Sequence, residues 1–130
     1  MSKLYMGFDA GTQSVKGAVY DEQFNCLTSH SLPTHLHYPQ PGWVEMSADE
    51  FLEITVNSMA ACAQSLREMG RDPKDVCAVM GDGIICGIVG VNPDGDAVTP
   101  YINYLDSRTT PDVEALNARE LEIWGRETGN

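Results

Sequence analysis

The spacing of apolar positions changes several times along the chain, and each change marks an element. Residues 4–8 (LYMGF) form an apolar run that ends at Asp9. Residues 15–20 (VKGAVY) and 24–32 (FNCLTSHSL) alternate apolar and polar side chains, the period-two pattern of a half-buried strand. Only the short segments GTQS and DEQ separate these runs, so the opening predicts a three-stranded antiparallel meander. Residues 33–46 (PTHLHYPQPGWVEM) hold three prolines and a glycine and have no periodicity, which predicts an ordered loop anchored by Trp43.

Ser47 then opens a helix, with Glu50 three residues later completing a capping-box pattern. Phe51, Ile54, Val56, Met59, Cys62, Ala63, Leu66 and Met69 follow at helical spacing, and Gly70 ends the run. Residues 75–81 (DVCAVMG) and 84–91 (IICGIVGV) are continuous apolar runs, the pattern of strands buried on both faces. NPDG at 92–95 is a turn signal. Residues 110–127 predict a second helix, with Thr110 as N-cap and Pro111 at the first helical position. The order β-β-β-α-β-β-α describes a mixed α/β layer that opens antiparallel, unlike a Rossmann repeat.

Length and charge narrow the function. The chain has 130 residues, 42% of them hydrophobic, which is enough for one domain with a core. No run of eighteen apolar residues occurs, and the N-terminal MSKLYMGFD has no secretory pattern, so the expected location is cytoplasmic, with no membrane partner. The formal net charge of -11 argues against a nucleic-acid partner, which needs Lys and Arg to neutralise phosphates. It does not argue against nucleotide binding, which uses backbone N–H groups and a metal ion. Cys26, Cys62, Cys77 and Cys86 include no CxxC pair, so zinc or a redox dithiol is not indicated and small buried side chains are expected. His30, His35 and His37 are poorly spaced for a metal and are expected to be solvated, as is the acidic helix face of Asp112, Glu114, Glu120 and Glu122.

The candidate chemistry lies in FDAGTQSVKG, residues 8–17. A turn that grips phosphate needs glycine, so that N–H groups converge without a β-carbon in the way. Thr12 and Ser14 add hydroxyl donors, and Lys16 adds positive charge. An aspartate beside such a turn repels bare phosphate, so the use that suits Asp9 is a divalent cation. Asp-Ala-Gly-Thr is also good turn chemistry, and an ordinary hairpin is the alternative. The Walker pattern is absent, since no GK[ST] occurs.

FDAGTQSVKGAVYD resembles the first phosphate loop of the actin-like, ribonuclease-H-like ATPases, and within them that of the FGGY carbohydrate kinases, xylulokinase-like members in particular. YPQPGWVEMSADEF is similar to the family's proline-rich segment before its first helix. GIICGIVGVNPDGDAVTPYINYLDSRT is similar to its sugar-site strand, hairpin and Asp-x-Arg-Thr segment, and the final TGN to a Gly-Asn-Pro stretch. The resemblance implies an α/β, ribonuclease-H-like (actin-like ATPase) domain with a mixed sheet and helices on its faces. It also implies transfer of phosphate from ATP, with Mg²⁺, to a hydroxyl of a small-molecule sugar or polyol. Because members are several times longer, residues 1–130 are expected to be the N-terminal part of the first, sugar-binding domain, with the general base and adenine pocket beyond it; a homodimer is left open.

On this resemblance Asp9 belongs to the Mg²⁺–phosphate cluster, and Gly11, Thr12, Gln13, Ser14 and Lys16 surround the transferring phosphoryl group. Tyr104 stands where the family has a tryptophan against the substrate carbons. Asp106 is expected to accept from a sugar hydroxyl and Arg108 to touch the sugar or orient the loop, while Trp43 and Glu45 read as loop anchors. The departure is at Gly83–Gly87: Ile85 and Cys86 occupy the places of a Met-His pair in xylulokinases and an Arg-Glu pair in glycerol kinases. A polyol needs partners for its hydroxyls, so the acceptor is expected either to be apolar at that edge or to meet other residues, with Asp82 the nearest. A non-catalytic actin-like domain and another actin-like phosphotransferase are the competing functions.

Overall fold

The computed structural model describes residues 3–128 and, within the last helix, the side chains of 110–118, 126 and 127. Three strands open the chain: β1 (Leu4–Ala10), β2 (Ser14–Tyr20) and β3 (Cys26–Pro33). They pair antiparallel as expected, with Phe8 opposite Gly17 and Gly17 opposite His30. Alternation puts Leu4, Met6, Ala10, Val15 and Val19 on one buried face. Asp9 and Lys16, in register with each other, stand exposed on the opposite face.

Helix α1 (Ala48–Glu68) covers the buried face with Ser58, Cys62 and Leu66. Leu4, Met6, Val19, Cys62 and Leu66 form the core cluster, each large apolar side chain contributing about 1.5–3 kcal/mol by leaving water. Gly17 permits the close approach: a β-carbon there would lie 3.2 Å from the Ser58 carbonyl oxygen and 3.3 Å from Cys62 Sγ. Ser47 caps the helix, its Oγ accepting from the Glu50 N–H at 3.2 Å. The Glu50 carboxylate turns to His35 Nδ1 at 2.7 Å, so only this half of the capping box is made. At the other end Gly70 adopts φ +74°. The Arg71 N–H reaches Leu66 O and the Gly70 N–H reaches Arg67 O, both at 2.9 Å, a complete Schellman ending.

The chain then enters β5 (Val76–Gly83), which pairs parallel with β1 and completes a sheet of order β3-β2-β1-β5. The expectation that this strand is buried on both faces is corrected: Val79 and Met80 are exposed. β5 is an edge strand, and α1 packs mainly over β1, β2 and β3.

The second apolar run, 84–91, is not a regular strand. Cys86 has φ +61°, and single bridges join Ile88 to Ile102 and Val91 to Ala97 in an irregular hairpin closed by the NPDG turn. Its glycines break the pattern, because a side chain at Gly87 would collide with the ring of Tyr101. The proline-rich loop contains a strand that periodicity does not show, β4 (Glu45–Met46), paired antiparallel with β6 (Tyr101–Ile102). The last helix, α2, spans Thr110–Thr128; the Val113 N–H bonds to Thr109 O, so the cap lies one residue before Thr110.

Three of the four cysteines also depart from expectation. Cys62 is buried, whereas Cys26, Cys77 and Cys86 are exposed, at the start of β3, on the uncovered β5 and in the turn after it. His30 is not simply solvated either, since its Nε2 meets Ser65 Oγ of α1 at 2.9 Å. Among the described residues no helix is long and apolar enough to cross a membrane.

Candidate active site

The site forms where β1 and β5, running in parallel, reach their carboxyl ends, the edge at which open α/β sheets bind ligands. Beyond β1 the chain turns through Gly11–Gln13 into β2. The Gly11 N–H closes this turn on Ser14 O at 3.1 Å, so it is not available to a ligand. Among the described residues, the N–H groups of Thr12 and Gln13 have no protein acceptor. Thr34 holds the loop from behind, its N–H on Gln13 O at 3.1 Å and its hydroxyl on Thr12 O. A β-carbon at Gly11 would lie 3.0 Å from Ser14 O and 3.6 Å from Asp9 Oδ1. The glycine thus keeps a small cradle open beside the Asp9 carboxylate.

Two adjoining cavities meet over this loop. One, of about 500 Å³, is polar and takes in Asp9, Gly11, Thr12, Gln13, Ser14 and Lys16, with Leu36, Tyr38, Tyr104 and Leu105 as its far wall. The other, of about 450 Å³, is largely apolar and runs from Asp9, Gly11 and Thr12 along Gly83, Ile84, Ile85 and Cys86 to Tyr104. Every phosphate-side residue singled out in the sequence therefore lines the polar cavity, and Ile85, Cys86 and Tyr104 line the apolar one. The sequence does not signal Leu36, Tyr38 and Leu105, because neither the proline-rich loop nor the turn after β6 has a periodicity that shows which side chains face a strand end.

Asp82 lies directly across from Asp9 in the parallel ladder, yet it lines neither cavity and sits beside Phe8, Met80 and Gly81. Asp9 and Lys16 share a sheet face without forming an ion pair. Among the described residues no three His, Cys, Asp or Glu side chains converge as a metal cluster. An exposed carboxylate with no ion-pair partner among the described residues, across the ladder from that of Asp82, nevertheless suits Mg²⁺, which keeps several waters and takes one or two carboxylates together with substrate phosphates.

Asp106 and Arg108 are placed elsewhere. Asp106 Oδ2 accepts from the Val44 N–H at 2.6 Å and from Arg108 Nη2 at 2.7 Å. Its Oδ1 accepts from both the backbone N–H and Nε of Arg108 at 2.9 Å. Arg108 also reaches Glu45 Oε1 at 2.8 Å and lies 3.9 Å over the Trp43 ring. The expected acceptor role of Asp106 is thus corrected: its side chain is only 3% exposed, and both oxygens are used within the protein. Hydrogen bonds from Arg108 hold the Asp106 carboxyl well below the usual carboxylate range, and the same pairing raises the Arg108 guanidinium. The reading of Trp43 and Glu45 as anchors agrees with this clamp, which ties the proline-rich loop to the segment carrying Tyr104.

The sequence and fold of the chain match known proteins. Residues 4–125 match the N-terminal domain of the FGGY family of carbohydrate kinases, and the chain belongs to that family. A glycerol kinase from Geobacter sp. (strain M21) is 30% identical over 126 residues, covering 94% of this chain and 24% of the relative. Gluconate kinase from Lactobacillus acidophilus superposes with a TM-score of 0.87 at 22% identity, over 100% of this chain and 25% of that one. Xylulose kinase from Rhodospirillum rubrum superposes with a TM-score of 0.80 at 21% identity, over 94% and 25%. The fold is therefore the ribonuclease-H-like, actin-like fold of sugar kinases, as expected from the resemblance. The chain spans about a quarter of the length of the curated relatives it matches.

Proposed function

We propose that the protein carrying this chain transfers the terminal phosphoryl group of ATP to a hydroxyl of a sugar or polyol. The observation that supports this reading most is the sharing of Asp9, Gly11, Thr12 and Tyr104 by a polar, donor-lined cavity and an apolar one. Phosphoryl transfer needs little covalent chemistry from the protein and depends on positioning and charge stabilisation. The free N–H groups of Thr12 and Gln13, the hydroxyls of Thr12 and Ser14, and Lys16 would hold phosphate oxygens. Asp9 would hold Mg²⁺, which when bound neutralises charge on the phosphates. Tyr104 would pack on the carbon skeleton of the acceptor and keep water from the reacting centre.

The test is Asp9→Asn in the protein expressed from its complete coding sequence, assayed by acceptor-dependent ADP formation. Loss of the carboxylate is expected to lower kcat by about 10²- to 10³-fold while leaving the acceptor KM nearly unchanged. Wild-type turnover at saturating Mg²⁺ would reduce Asp9 to a turn residue. Absence of acceptor-dependent ADP formation in the unmodified protein would favour a non-catalytic actin-like domain.

A further inference from the structure

The acceptor wall of the apolar cavity is unusual in what it lacks. Gly83, Ile84, Ile85 and Cys86 line it together with Tyr104, and Asp9, Gly11 and Thr12 line the end it shares with the polar cavity. Ile85 is 78% exposed, an apolar side chain presented to the cavity instead of the core. The Ile84 N–H is already bonded to Ala10 O at 3.1 Å, so this backbone donor is spent.

The polar residues nearest in sequence are spent as well. Both Asp106 oxygens are bonded to Val44 and Arg108, and Arg108 is held by Asp106, Glu45 and the Trp43 ring. Asn103 is buried, its Oδ1 accepting from the Leu105 N–H at 3.1 Å and its amide nitrogen lying 3.7 Å from Met46 Sδ. Asp82 lies outside the cavity. The side chains of Ile84, Ile85 and Cys86 offer apolar contact and no strong hydrogen-bond partner, so a hydroxyl brought against them would exchange water for hydrocarbon.

We propose that the acceptor presents a hydrocarbon edge to the Ile85–Cys86 turn: an alcohol with a deoxygenated terminal carbon, such as a deoxyketose or a diol bearing a methyl group. The inference rests on the kinase reading above and specifies its substrate class. Discrimination comes from the apolar side chains at this turn. An unmatched buried hydroxyl weakens productive binding by about ten- to a hundredfold.

The experiment compares kcat/KM for two matched pairs, propane-1,2-diol against glycerol and 1-deoxy-D-xylulose against D-xylulose, with the protein expressed from its complete coding sequence. A broad panel of ketoses and polyols runs in parallel. The deoxygenated member is expected to be preferred about tenfold or more in at least one pair. Cys86→His is expected to shift that ratio about tenfold toward the hydroxylated member. Histidine suits this test because it enters the left-handed region, where Cys86 sits at φ +61°, more readily than most residues. Cys86→Ser, which adds a donor at nearly constant volume, repeats the test should the histidine variant not fold. Equal use of both members, preference for glycerol and D-xylulose, or turnover only with fully hydroxylated members of the panel overturns the inference and leaves the kinase reading intact. No turnover with any alcohol overturns both.

Discussion

Single side chains carry two separate stability effects in the region that joins the proline-rich loop to Tyr104. Asp106 is held ionised by Arg108 and by the N–H groups of Val44 and Arg108, so its folded-state pKa is depressed. A depressed carboxylate contributes stability above its unfolded value, near 4, and loses that contribution as pH falls through the folded value. Thermal midpoints of the wild type are therefore expected to fall on acidification below about pH 4. Asp106→Asn should start lower at neutral pH and show a shallower acid limb; parallel limbs for the two proteins would count against the clamp. Tyr101 is the opposite case. Its hydroxyl is buried without a partner among the described residues and its ring stacks on Phe51 at 6.2 Å, while burial pushes the phenol pKa up. Tyr101→Phe keeps the ring and removes an unsatisfied group, so chemical denaturation should show stability unchanged or raised by up to about 1–3 kcal/mol. A loss would reveal a partner for the hydroxyl.

Among the elements, the seam between α1 and the sheet has the least slack. Gly17 faces the Ser58 carbonyl and Cys62 Sγ at distances that a methyl group fits only if α1 gives by a few tenths of an ångström. Gly17→Ala is expected to strain this seam, an overpacking cost of about 1–3 kcal/mol, read as a lower denaturation midpoint at constant m-value. Gly17→Ala with full stability would mean that α1 sits farther from β2 than described here. The element itself was legible: the Ser47 cap, the helical spacing through Leu66 and the Gly70 stop are local signals, and local geometry obeys them. The meander was legible for the same reason, since alternation and short turns specify antiparallel neighbours. The run 84–91 was not. Its β-branched residues favour a strand, but Gly87 and Gly90 pack against Tyr101 and Thr99, and those contacts steer the backbone out of the sheet.

Over the whole molecule, the division between the two sources of information follows sequence distance. The sequence by itself determined the glycine turn with its aspartate and hydroxyls, the helix with its caps and the mixed α/β class, because each depends on residues within a few positions of one another. It also carried the apolar character of Ile85 and Cys86. Tertiary structure alone decided which groups remain available. The loop that leaves the Thr12 and Gln13 N–H groups free is held from behind by Thr34, which binds their carbonyls. Asp106 is closed off by Arg108 beside it and, from 62 residues away, by the Val44 N–H. Asp9 and Asp82 become neighbours only because β5 pairs parallel with β1 across an intervening helix. Hydrogen-bonding capacity is finite, and partners brought together by the fold exhaust it before any ligand arrives. Periodicity and motif identify which atoms a site could offer; long-range packing decides which of them are left.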